Sequence, residues 1–189
     1  MILVAWQFVR KPTGQRLGVT TCTVDDDHVV IECGSRRAYT TLRRALERYA
    51  APYVARFPCR AIGRDDQGKL YCVPGRVASA NAEEALDAYA RGLALDEIRR
   101  WDAAPPVVKR YLRAGDPKLR QATAALARTA SSEGPDVRTR DAALAVWAIA
   151  TPPAAGAAAW ATQNSKATRA QKARRERQLR AALTRLLRE

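Results

Sequence analysis

Histidine is almost missing from this chain of 189 residues, in which His28 is the only one. Proton transfer at any catalytic centre therefore falls to a carboxylate, a tyrosine or His28 itself. Cysteine is sparse and unpatterned: Cys22, Cys33, Cys59 and Cys72 form no Cys-x-x-Cys pair, so a zinc site would need nearly all of them together with His28. They read as buried free thiols of a cytoplasmic protein, with a disulfide pair as the alternative. No apolar run reaches the roughly 20 residues of a membrane-spanning helix. The apolar stretch Ile2 to Val9 is too short for a secretory signal, has no basic segment before it and leads to no cleavage site. Acidic residues are also in short supply, 19 Asp and Glu against 33 Lys and Arg, which leaves a formal net charge of +14 and a pI near 10.4. The expected partner is a polyanion.

What is present divides the chain. Apolar residues make up 47% of it, enough for a packed core, and they change pattern near residue 75. Residues 1–75 read as strands around one helix and residues 76–189 as helices, an α+β chain with a small mixed sheet first and an all-helical region after it. The basic excess is uneven, because residues 162–189 hold 9 Lys and Arg against 2 Asp and Glu. Half of the net charge lies in that tail, as in a segment that contacts nucleic acid or an anionic surface.

Within the first region, Ile2 to Arg10 and Arg16 to Val24 fit a hairpin around Lys11-Pro12-Thr13-Gly14-Gln15. Asp25-Asp26-Asp27 turns the chain into the apolar run His28 to Cys33. Gly34-Ser35-Arg36-Arg37 then opens a segment whose apolar positions Tyr39, Leu42, Leu46, Tyr49 and Tyr53 recur at helical spacing. A strand, a tight turn and a helix start predict an anion site: the first helical turn has unpaired N–H groups and positive potential, and glycine leaves them accessible. The plainer reading has Ser35 as an ordinary N-cap and Arg36 and Arg37 as solvated residues. The same helix would carry Arg44 and Arg48 on its outer side, a basic stripe running on from Arg37. Arg56 to Gly63 and Lys69 to Pro74 read as two further strands, with the sheet ending near Pro74-Gly75.

The order strand, Gly-x-x-Arg (here GSRR), helix and a strand entered through Pro58 resembles the ParB/sulfiredoxin fold. Ser35 and Arg36 stand where sulfiredoxins have their reactive cysteine and a histidine, so sulfinic-acid reduction is not implied. With its short length, basic charge and helical tail, the chain most resembles the Osa-type fertility inhibition proteins of conjugative plasmids. That resemblance implies a cytoplasmic DNase and ATPase that blocks DNA transfer through type IV secretion, with DNA and secretion coupling components as partners. ATP, with Mg²⁺, would be the cofactors. Gly34, Ser35, Arg36 and Arg37 would hold phosphate. Arg37, Arg36 and Glu32 would act catalytically, and Asp27 and Glu32 are the nearest carboxylates for a metal. The alternative is a non-catalytic protein that masks DNA or a secretion component with the same basic surfaces.

Beyond Arg76, alanine is abundant. Asn81-Ala82-Glu83-Glu84 predicts a capping box for a helix to Arg91, and Leu95 to Trp101 a second short helix. Pro105-Pro106, Asp116-Pro117 and Gly134-Pro135 each predict a helix start. The last two helices resemble each other at an offset of 18 residues, with Arg120 matching Arg138. Gln163-Asn164-Ser165 precedes a final helix, Lys166 to Arg188, whose leucines lie only toward its end. Its first part, with Lys166, Arg169, Lys172, Arg174, Arg175 and Arg177, is expected to be exposed or mobile. Together with Arg44 and Arg48 these are the candidate nucleic-acid contacts.

Overall fold

In a computed structural model, the chain is a mixed α+β protein of two compact units. One comprises Met1–Ala82 with Leu183–Glu189, the other Glu83–Ala182. The structure describes residues 2–11, 20–25, 28–33, 36–39, 41–48, 51–64, 66, 70–74 and 77–188; at 2–3, 20–25, 28–33, 36–37, 59, 61–62, 64 and 70–74 it describes the backbone alone.

The strand unit contains β1 (Ile2–Val9), β2 (Thr20–Asp25), β3 (His28–Cys33), β4 (Arg36–Tyr39), helix α1 (Leu42–Arg48), β5 (Tyr53–Arg64), β6 (Leu70–Pro74) and β7 (Ala78–Asn81). Neighbours pair in the order β1-β4-β3-β2-β6-β5, and β5 pairs back to β1, so six strands make a closed ring to which β7 is added along β5. All of these pairs are antiparallel, which corrects the expected mixed sheet. The expected hairpin of the first two strands is also absent among the described pairings. Instead β1 runs beside β5, from Ile2↔Arg60 to Val9↔Tyr53, and β2 lies between β3 and β6.

In-register partners share a face of the sheet, so Trp6 lies beside Arg56 and Phe8 beside Val54 on one side, and Ala5 beside Phe57 on the other. Trp6, Phe8 and Val54 are buried, and so are Ala5, Ala55 and Phe57. Burial on both faces is what a ring interior on one side and a covering helix on the other require. Leu42, Ala45 and Leu46 of α1 are buried, and α1 packs on β1 and β4. Pro58 sits inside β5 and not at its start. It falls between Arg56, where β7 stops pairing, and Cys59, where β6 begins, so its missing N–H costs no ladder bond along that edge. The sheet also runs past residue 75, through β7.

The helical unit contains α2 (Glu83–Glu97), a 3-10 turn at Ile98–Arg100, α3 (Pro106–Ala114), α4 (Pro117–Glu133), α5 (Val137–Ala150), α6 (Ala154–Asn164) and most of α7 (Arg169–Leu186). One continuous α2 replaces the two short helices expected there, because Leu86, Ala90, Leu93 and Ala94 keep a single buried face across Gly92. Full burial of each leucine contributes about 1.5–3 kcal/mol, more than the ~1 kcal/mol that an interior glycine costs. Asp116 caps α4, its carboxylate accepting from Lys118 N–H at 3.0 Å, with Pro117 at the first helical position. The cap of α5 is Asp136 and not Gly134 or Pro135: its carboxylate accepts from Thr139 N–H at 2.8 Å. At α7, Thr168 and Gln171 form a reciprocal capping box, with Thr168 N–H to Gln171 Oε1 at 2.8 Å and Gln171 N–H to Thr168 Oγ1 at 3.2 Å. That box starts the final helix at Arg169 instead of Lys166.

Candidate nucleic-acid interface

The basic tail is built into the helical unit from its middle. Asp96 and Glu97 close α2, where the negative end of the helix dipole disfavours a carboxylate by about 0.3–1 kcal/mol. Both are compensated. Arg175 of α7 forks onto Asp96, Nε to Oδ2 at 2.8 Å and one terminal nitrogen to Oδ1 at 2.9 Å, and Arg174 adds a contact to Oδ1 at 2.8 Å. Ser165 Oγ donates to buried Glu97 at 2.6 Å and accepts from Ala167 N–H at 3.1 Å, which fixes the link from α6 to α7. Partial burial pushes the Asp96 carboxyl up, but the hydrogen bonds and charge of Arg175, and then of Arg174, outweigh it and hold the group below the usual carboxylate range.

Gly92 completes the arrangement. The Arg175 guanidinium lies across α2 so closely that a Cβ at residue 92 would stand 3.0 Å from its carbon and two of its nitrogens. Glycine in mid-helix is therefore explained by the approach of a side chain from α7. The segment expected to be exposed or mobile is a helix from Arg169, its residues exposed or half-buried as far as Gln178, and Arg174 and Arg175 tie it to α2.

Two more arginines of this unit hold helix ends. Arg91 binds Asp87 at 2.7 Å and donates to Leu112 O at 3.2 Å, at the end of α3. The chain turns there through Gly115, whose φ of 70° suits glycine and whose Cβ would fall 2.5 Å from the Arg91 guanidinium. Arg120 donates to Ala150 O at 2.9 Å and to Pro152 O, closing α5. Arg138, its expected counterpart at an offset of 18 residues, is exposed and has no such role. Between Arg91 and Arg120 lies fully buried Tyr111. Burial, with the charge of Asp87 adding to it, raises its phenol pKa against the opposing charge of the two arginines.

No family model, curated protein or solved structure matches this chain.

Of the tail residues expected to meet nucleic acid, Arg174 and Arg175 are ion-paired. Lys166, Arg169 and Arg177 are exposed, Lys172 is half-buried, and none of these four makes an ion pair among the described residues. Arg169 and Arg177 are eight residues apart and so lie on a common side of α7. In α1, Thr41 Oγ1 accepts from Arg44 N–H at 3.4 Å, Glu47 binds both Arg43 and Arg44, and Arg48 is exposed.

The segment around GSRR differs from the expectation. Arg36 and Arg37 belong to strand β4, and the helix begins only at Leu42. Their N–H groups are therefore not those of a first helical turn, and Arg37 does not share a helix with Arg44 and Arg48. Tyr39 and Tyr53, expected on one helical face with Leu42 and Leu46, lie in β4 and β5. In the β3–β4 ladder Arg37 stands opposite Glu32 and Arg36 opposite Cys33. Gly34, Ser35 and Asp27 lie outside the described residues, as do the side chains of Glu32, Arg36, Arg37, His28 and the four cysteines. Among the described residues, no group of three His, Cys, Asp or Glu is arranged to hold a metal ion, and no helix is long and apolar enough to cross a membrane.

The residues that sequence reasoning passed over are the partners. Asp96, Glu97 and Ser165 decide which tail arginines are structural. The adjacent acids of Leu95-Asp96-Glu97 at a helix end, where basic residues are preferred, were the available signal.

Proposed function

We propose that this chain binds DNA through phosphate contacts made by α7. The observation that carries the reading is the division of labour along that helix. Arg175 and Arg174 are held by Asp96, which fixes the helix, while Arg169, Lys172 and Arg177 of the helix, with Lys166 just before it, keep charges with no ion-pair partner among the described residues. A helix already ordered loses little freedom on meeting a phosphate backbone, and its cations gain by releasing condensed counterions. Removing the whole tail would remove the Asp96 clamp as well, so the informative variants are Arg169→Ala and Arg177→Ala. Affinity for duplex DNA across a salt series is expected to fall, and the logarithmic salt slope to flatten by roughly 0.9 for each phosphate that is no longer neutralised. A slope unchanged in the double variant would refute the reading.

A second reading is supported by the β3–β4 ladder, in which Glu32 and Arg37 are direct partners. On this reading the strand unit is ParB/sulfiredoxin-like, with α1 and β5 as the helix and following strand of the pattern and β4 as an insertion. It cleaves DNA and hydrolyses ATP with Mg²⁺, and by doing so blocks conjugative or type IV secretion transfer. Arg37 would neutralise charge on the phosphoryl oxygens, with Arg36, Ser35 and Gly34 beside it. Both readings are of a cytoplasmic protein. Phosphate release and DNA cleavage by Arg37→Ala, Arg37→Lys and the control Arg48→Ala test the second one. Turnover by Arg37→Ala equal to that of Arg48→Ala would remove it.

A further inference from the structure

The helical unit has a groove of the opposite sign to the rest of the chain. It has a volume of about 560 Å³ and lies between the stretch Trp101–Pro105, the C-terminal half of α4 and the turn into α5. Trp101, Pro105, Leu126 and Ala130 line its apolar part, and Asp102, Glu133 and Asp136 stand around it. In a chain with 33 Lys and Arg, none of the lining residues is basic. Leu126 is 41% exposed, one of few large apolar side chains left so open among the described residues. Because Asp102, Ala125, Leu126, Thr129 and Glu133 are all exposed, this is an open surface groove and not an enclosed cavity suited to a small metabolite.

The three carboxylates differ in what they have to do. Asp136 is committed to capping α5, and the backbone N–H of Thr139, more than the small opposing effect of burial, holds its carboxyl low, so it stays ionised. Asp102 and Glu133 make no hydrogen bond or ion pair among the described residues. Glu133 is the last residue of α4, at the negative end of that dipole, where nothing in the fold favours a carboxylate. Arg140 has its stem against Gly134 and yet pairs with none of the three.

We infer that this groove docks a basic amphipathic segment of a protein partner, one that sets a large apolar side chain on Leu126 and Trp101 with lysine or arginine on either side. Charge complementarity selects the occupant. On a chain of net charge +14, carboxylates that border an apolar surface without counterions among the described residues attract such a segment against the general repulsion. The mode is that of an amphipathic helix laid in a groove. The inference is independent of the DNA reading, since it concerns another face and the other sign of charge.

The test uses the full chain and three short fluorescent peptides: arginine and leucine at helical spacing, the same with glutamate for arginine, and arginine with glycine for leucine. Fluorescence anisotropy is expected to show binding of the first alone. Asp102→Asn and Glu133→Gln should each weaken that binding by about threefold to fivefold, as expected for exposed pairs of up to ~1 kcal/mol, and Leu126→Ser more. These residues are exposed, so unchanged thermal melting of the variants checks that the fold persists. Binding of the acidic or leucine-free peptide equal to the first would overturn the inference. So would unchanged affinity in the double carboxylate variant, or self-association that Leu126→Ser abolishes, which would make a second copy the occupant.

Discussion

Two helices of the helical unit end on a carboxylate, and the fold treats them in opposite ways. At the end of α2, Asp96 takes two guanidiniums and Glu97 takes a serine hydroxyl. At the end of α4, Glu133 takes nothing among the described residues. The same unfavourable placement against a helix dipole is neutralised internally in one case and left for the outside in the other. Asp96 and Glu97 hold the link from α2 to the residues around α7, and Glu133 holds nothing among the described residues.

The largest expected effect breaks the first half of that comparison. Asp96→Asn removes the charge from beneath Arg175, whose side chain is only 18% exposed. Loss of about 2 kcal/mol is expected in urea denaturation, below the 3–5 kcal/mol of a fully buried pair because solvent reaches this one. The pH dependence carries the same signature. The folded pKa of Asp96 lies below its ordinary value of 3.8, so its stabilisation is complete above that value and is lost as pH falls through the folded one. Wild type is expected to lose stability below about pH 4 more steeply than Asp96→Asn, with Asp136 titrating in both.

A smaller effect follows from the arginine that closes α5. Arg120→Ala leaves the carbonyls of Ala150 and Pro152 without their donor and should cost about 1–2 kcal/mol, with Arg120→Lys recovering part. Thermal melting measures both.

Gly92 sharpens the comparison through the sign of its effect. Gly92→Ala gains up to ~1 kcal/mol of helix propensity but sets a methyl group 3.0 Å from the held guanidinium. In wild type the two effects are expected to offset. In Asp96→Asn, with Arg175 free to move, the same substitution should stabilise by about 0.5–1 kcal/mol. A double-mutant cycle showing no coupling between residues 92 and 96 would remove the steric explanation for the glycine.

The smallest effect belongs to the other helix end. Glu133→Gln should change stability by less than about 0.5 kcal/mol, in the stabilising direction, since it removes a charge that the dipole opposes. A loss near that of Asp96→Asn would mean that Glu133 has an internal partner.

What the sequence revealed was local. The division into strands and then helices, and the starts at Pro106 and Pro117, follow from periodicity and proline chemistry that neighbouring residues carry themselves. What it concealed was pairing across distance. Arg36 and Arg37 lead toward a helical segment, so their placement in β4 depends on a ladder to β3 that outweighs local propensity. The bases of the tail looked alike in sequence, and only Asp96, almost eighty residues earlier, separates Arg174 and Arg175 from Arg169 and Arg177. No composition or spacing rule carries that information, because it belongs to the reach of the Arg174 and Arg175 side chains from α7 to α2.

The pairing of β1 with β5 has a consequence for how the protein is made. Ile2–Val9 leaves the ribosome before the partner that runs along its whole length, Tyr53–Arg64, which is complete only more than fifty residues later. At about 5–20 residues per second, an extended segment containing Trp6 and Phe8 stays unpaired for several seconds in every round of synthesis. The α3–α4 and α4–α5 contacts, between elements adjacent in sequence, involve no such wait. The strands should therefore set the pace of maturation and be the part that needs a chaperone, even though they are synthesised before the helices α2–α7.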